Sequence, residues 1–165
     1  MEDKNKDSTF PVVRGRFIKS YNKTISSRRC PTTGSFIGYK MVVRDKHCSN
    51  HVPNMAWNIA LLKLEIPEDA RRLTTSGLII ECRCDKVKVL QAYDMYKYLT
   101  THDLRKCRIR DQKIFYSYYY RDFEYKVGEI VSTDTFDDNK HQLCSAGIYF
   151  RMNMEDAINY FSITT

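Results

Sequence analysis

Apolar and polar positions trade places with a period of two along much of this chain, and that period predicts strands. Phe36-Ile-Gly-Tyr-Lys-Met-Val-Val43 is rich in aromatic and β-branched residues and follows a Pro/Thr/Gly turn at residues 31–34, so it is expected to be a strand. After a loop at residues 44–55, Ile59-Ala-Leu-Leu-Lys-Leu-Glu-Ile66 opens on four apolar residues and then alternates, until Pro67 ends it. Pro67-Glu68-Asp69-Ala70 suits a single helical turn, with proline tolerated at the start and acids near the positive end of the dipole. Leu78–Ile80, Cys82-Arg83-Cys84 and Lys86-Val87-Lys88-Val89 carry a second alternating pattern, read as two strands or one bent strand. Asp94–Leu99 reads as helical and Phe115–Tyr120 as strand-forming. Val127-Gly128-Glu129 reads as a turn or bulge between short extended pieces, and Gly147–Phe150 as the last strand. Asn153 with Asp156 three residues later resembles a capping box. It opens a helix whose Met154, Ala157, Ile158 and Phe161 share one face. The pattern predicts an α+β fold: a small β-rich single domain with a short C-terminal helix.

Composition adds organisation. At 165 residues, 42% hydrophobic and 28% charged, the chain fits one folded domain. Charge is uneven: residues 1–30 carry eight basic and three acidic side chains, residues 31–121 sixteen and nine, and residues 122–165 three and eight. We therefore read residues 1–30 as a basic N-terminal arm and lead-in and residues 31–165 as the domain. Opposite poles imply an electrostatic partner or contacts between copies. No apolar run approaches the roughly 20 residues of a spanning helix, so no membrane is expected. The start lacks a signal-peptide pattern, and a cytoplasmic location is the expectation. Cys30, Cys48, Cys82, Cys84, Cys107 and Cys144 are then read as free thiols.

Three chemistries compete. Zinc needs four soft or borderline ligands. His47, Cys48, His51, Cys82, Cys84, His141 and Cys144 supply the residue types without the paired C-x₂-C spacing, so no metal or other cofactor is assigned and zinc is the alternative. A cysteine nucleophile would pair Cys144 with His141, yet sequence proximity does not supply a thiolate activated within hydrogen-bond reach; no catalytic residue is assigned. Arg105, Lys106, Arg108 and Arg110 beside Tyr116, Tyr118, Tyr119 and Tyr120, extended by Arg14 and Arg16 of the arm, form a candidate binding surface. Basic side chains neutralise phosphates and aromatic faces stack bases, but tyrosine and arginine are equally the residues of protein interfaces. No phosphate-binding glycine loop is present in the sequence.

Lys63–Arg72, Cys82–Leu90, Phe123–Val131 and Cys144–Tyr160, kept in this order, resemble a domain family of unknown function found in giant DNA viruses, phages and bacteria, often beside pentapeptide repeats. The resemblance runs from about Ile37 to Tyr160. Residues 91–121 match poorly, as a variable insertion would, and residues 1–30 do not match. Where the family commonly shows Cys-Ser-x-Gly-Ile/Leu-His, this chain has Tyr149 in place of the histidine. The resemblance implies a large DNA virus as source. The combined expectation is a non-enzymatic interaction or assembly module, such as a small virion or virus accessory protein, with a protein partner or further copies as its contact. The alternative is a nucleic-acid-binding accessory protein using the basic, tyrosine-rich surface.

Overall fold

The computed structural model describes residues 28–48 and 56–163, with side chains through Asn159. Two antiparallel sheets carry the fold. The larger is built from β1 (Phe36–Val43), β2 (Ile59–Ile66), β5 (Lys86–Asp94), β6 (Ile114–Tyr116), β7 (Glu124–Lys126) and β8 (Ile130–Ser132), in the order β7-β6-β1-β2-β5-β8. The smaller orders β3 (Arg72–Thr74), β4 (Cys82–Cys84) and β9 (Ile148–Phe150) as β3-β4-β9. Among the described residues two α-helices complete it, α1 (Met95–Thr101) and α2 (Met154–Ile163).

The six-stranded sheet curls on itself. Laid flat, five inter-strand steps would hold its edges ~24 Å apart, whereas the four residues from Lys126 to Ile130 span at most ~14 Å. Backbone bonds show the closure: Val127 N–H reaches Lys113 O beside β6 at 2.9 Å, while Gly128 N–H reaches Val89 O of β5 at 2.7 Å. Gly128 turns between the edges at φ +91°, a conformation that suits a residue without Cβ.

β2 explains its own sequence. Its apolar opening, Ile59 to Leu62, is buried on both faces, because Ala60 and Leu62 face the sheet interior while Ile59 and Leu61 meet the helices. Its second half alternates because only the interior face is covered there. In β5 the pairing jumps from Lys63↔Gln91 to Leu64↔Val89, so Leu90 is an extra residue, a bulge that resets the phase and lets both Val89 and Ala92 point inward.

The small sheet crosses β1 where Tyr39 and Arg151 exchange backbone bonds of 2.7 and 2.8 Å. Gly38 permits the crossing, since a Cβ there would lie 2.8 Å from the Phe150 ring and 2.9 Å from Ile66 Cδ1. The C-terminal helix forms with the expected capping box: Asn153 Oδ1 accepts from Asp156 N–H at 2.8 Å and Asn153 Nδ2 donates to the Asp156 carboxylate at 2.8 Å. Ala157 and Ile158 are buried on Met41, Ile59 and Leu61. Phe161 has a side chain outside the described residues.

Three local expectations change. Pro67–Ala70 is a hydrogen-bonded turn, not a helical one, closed by Ala70 N–H to Pro67 O at 3.1 Å. Leu78–Ile80 is no strand: Gly77 (φ +113°) swings the chain outward, leaving Leu78 98% exposed. The tyrosine run is extended only to Tyr116. Of the two readings for the segment 82–94, two strands is the one that forms, and they lie in different sheets. Residues 91–121, for all their poor family resemblance, are integral. Asp94 caps α1 through Lys97 N–H (3.0 Å), and Leu99, Cys107, Ile109 and Phe115 are buried in the cores.

Candidate functional site

A groove of about 1050 Å³ opens between β1, the turn after β6 and the segment running into β9. Ser117–Tyr120, Phe123 and Tyr125 form one wall, Tyr39–Met41 the floor, and Cys144–Arg151 the opposite wall. Its lining is mostly apolar. Tyr119 and Tyr120 stand at the rim 64% and 78% exposed, with the Tyr118 ring edge-on to Tyr119 at 5.0 Å. Arg121 stacks its guanidinium 5.5 Å from the Tyr118 ring and donates to Tyr118 O at 2.9 Å, holding the turn in shape.

Lys40 is the unusual residue of the floor. Strand periodicity places it on the same face as Gly38 and Val42, the face that packs inward. Its ammonium donates to Tyr149 O at 3.0 Å and lies 5.9 Å from the Tyr125 ring. Burial lowers its pKa from 10.5 to about 8, with Cys84 opposing and the Arg151 charge adding to the effect. Tyr125 and Tyr149 are both pushed up by burial, Tyr149 to about 12, so both stay neutral phenols.

The opposite wall is organised by Arg83. This side chain is fully buried in the middle of β4, and its Nε, Nη1 and Nη2 donate to the backbone carbonyls of Asp137 (2.9 Å), Gln142 (2.7 Å) and Asn139 (2.8 Å). One arginine thereby shapes the acidic loop between β8 and β9. Gly147 leaves room for it, since a Cβ there would come 3.2 Å from Arg83 Cδ. Ser145 donates to the Asp137 carboxylate and Tyr149 to Ser145 O, closing the loop back on the strand.

The loop does not bring Cys144 and His141 together as nucleophile and base. His141 Nδ1 pairs with the Ser76 hydroxyl at 2.8 Å, while Cys144 donates to buried Glu81 through its backbone N–H (3.2 Å) and its thiol (3.8 Å). Burial and the Glu81 charge raise the thiol's pKa, the reverse of thiolate activation. Among the described residues no three His, Cys, Asp or Glu side chains converge as a metal site. Cys48 lies by the 45–48 turn, Cys82 and Cys84 inside the small sheet, and His51 outside the described residues.

These walls lie inside one stretch of sequence, residues 26–157, which matches the family model described as a family of unknown function, DUF5758. The chain belongs to the DUF5758 family. No curated protein and no solved structure matches it. In this DUF5758 domain Tyr149, standing where the motif comparison expects histidine, serves as a hydrogen-bonded wall of the groove.

The sequence-selected surface divides in two. Tyr118, Tyr119 and Tyr120 belong to the groove, and Tyr116, half-buried at the end of β6, lies under Lys46 at 5.7 Å. Arg105, Lys106, Arg108 and Arg110 are all exposed: Arg105 and Lys106 lie in a short 3-10 turn at Leu104–Lys106, and Arg108 and Arg110 alternate with buried Cys107 and Ile109 where the chain bridges to β5. Arg108 and Arg110 border a separate hollow of about 300 Å³ with Lys113, and the two hollows share no lining residue. Arg14 and Arg16 lie outside the described residues. Sequence reasoning missed Lys40, Glu81 and Arg83, each of which sits in an alternating strand pattern where a charged residue reads as solvent-facing.

Proposed function

We propose that this DUF5758 domain is a non-enzymatic interaction or assembly module that holds a protein partner in the tyrosine-walled groove. The observation carrying this reading is the pair Tyr119 and Tyr120, exposed at the rim of a mostly apolar groove of about 1050 Å³. Tyrosine combines large contact area with few rotatable bonds, which is why it concentrates at interface hot spots. A further copy of the chain is one partner consistent with the opposite charges of residues 1–121 and 122–165. A role as a virion or accessory component of a large DNA virus, acting in the host cytoplasm, rests on the motif resemblance and forms part of the proposal. Among the described residues no helix is long and apolar enough to cross a membrane.

Sedimentation velocity over a range of concentrations, with a photo-crosslinking residue at Tyr119, tests the reading. Self-association or a single stoichiometric cross-linked partner is expected, lost in a Tyr119→Ser/Tyr120→Ser variant that still folds. A strictly monomeric protein that cross-links nothing in extracts of its host overturns it.

The exposed row Arg105, Lys106, Arg108 and Arg110 supports nucleic acid as the second reading. It ranks lower because a single strand would have to leave the basic hollow to stack on the groove tyrosines. Binding to a short single-stranded oligonucleotide whose affinity falls steeply with salt would promote it.

A further inference from the structure

Two cysteines far apart in sequence meet where the domain begins. Cys30 is buried at the head of the described domain, and Cys82 opens β4 and lines the groove. Thr74 stands opposite Cys82 in the β3–β4 register and joins the two. Its hydroxyl accepts from Cys30 N–H at 3.0 Å and donates to Cys30 Sγ at 3.2 Å. The same oxygen lies 3.7 Å from Cys82 Sγ. That hydroxyl's one proton points to Cys30, so Cys82 is the donor on its side, and its single proton can serve only one acceptor at a time among Thr74 Oγ1, Arg28 O and the Cys30 sulfur. The Cys82 thiol reaches Arg28 O at 3.6 Å, and both sulfurs lie within 3.7 Å of the same Thr74 oxygen. Two thiols thus lie side by side, both unjoined.

We propose that Cys30 and Cys82 are a redox modification site, a vicinal dithiol that a peroxide converts to an intramolecular disulfide. The roles follow from the surroundings. The hydrogen bond from Cys82, that from Thr74 and the positive charge of Arg72 favour the Cys30 thiolate against its burial, while Cys82 is pushed up by donating to Cys30 and by burial. Cys30 is the attacking sulfur and Cys82 the resolving one. The Cys30 thiolate attacks one peroxide oxygen, the O–O bond breaks, and the sulfur becomes a sulfenic acid as hydroxide departs and takes a proton. The Cys82 sulfur then displaces the sulfenic hydroxyl, its proton leaving with it as water. Two thiols and one peroxide give one disulfide and two waters, or one water and one alcohol for an organic peroxide. The product ties the root of the basic arm to a strand lining the groove.

The test is to titrate the full chain with hydrogen peroxide at near-stoichiometric ratio, alkylate the remaining thiols and map the peptides. Accessibility alone predicts that exposed Cys144 and half-exposed Cys48 react first. The proposal predicts loss of two of the six thiols with a Cys30–Cys82 linked peptide. The same link should form at an unchanged rate in Cys48→Ser/Cys144→Ser, a variant altered only outside the buried core. Cys82→Ser should stop at a Cys30 sulfenic acid that a dione probe captures. Oxidation of Cys144 or Cys48 ahead of an unlinked pair in the native protein, or a pair that stays unlinked in the doubly substituted one, overturns it.

Discussion

Arg83 carries a charge into the core of this molecule, and its cost is offset by three backbone carbonyls that would themselves be unpaired without it. A lysine has one point of charge and cannot reach carbonyls on Asp137, Asn139 and Gln142 together. Arg83→Lys is therefore expected to lower stability by about 3 kcal/mol and to speed amide exchange over residues 137–146, measured by urea unfolding and hydrogen exchange. A loop that exchanges as in the native protein would remove Arg83 from this role. Lys40 works in the other direction. Its pKa is about 8 folded against 10.5 unfolded, so between those values the native state binds fewer protons and stability rises with pH. Below pH 8 both states are protonated and the penalty of the buried charge is fully present. Lys40→Met removes this titration. Its stability relative to native protein should be highest near pH 7 and should decline as pH is raised to 10, followed by urea midpoints. Parallel pH profiles would show that the ammonium is solvated.

At the scale of elements, local chemistry sets where helices start and packing sets which way they face. Asp94 ends β5, caps α1 at Lys97 N–H and pairs with Arg44 at 3.1 Å. Asp94→Ala removes the cap and the pair together, and a loss of about 1–2 kcal/mol is expected, read from thermal unfolding, with fraying confined to residues 95–101. The long strands β1 and β2 were legible because β1 is rich in aromatic and β-branched residues and β2 alternates over its second half before Pro67. The three-residue strands were harder to read: β3 and β6 are too short for periodicity to declare itself. Leu78–Ile80 has strand composition but sits in a loop, where Gly77 at φ +113° turns the chain outward and Leu78 is exposed.

At the scale of the whole molecule, closure of the six-stranded sheet depends on Val127–Glu129, where one turn serves both edges. Gly128→Val forces a β-branched residue into a positive φ. A loss of about 1–3 kcal/mol is expected, together with faster exchange of the Val89 and Val127 amides, whereas an unchanged urea midpoint would show that the turn adapts. The groove depends on this closure, because its walls come from residues 117–125, 132–135 and 144–151, held against β1.

Sequence alone determined the β-rich class, the strands β1 and β2, the capping box of the last helix and the tyrosine cluster. These are properties of neighbouring residues, and spacing along the chain records them. Tertiary structure alone decided that Arg83 and Glu81 are buried, that Lys40 faces inward, that Tyr118–Tyr120 and the pair Arg108 and Arg110 line different hollows, and that Cys30 and Cys82 meet at Thr74. Each of those rests on contacts between residues many tens of positions apart. A charged residue in an alternating strand has the same local pattern whether water or a loop covers it, and only the fold says which.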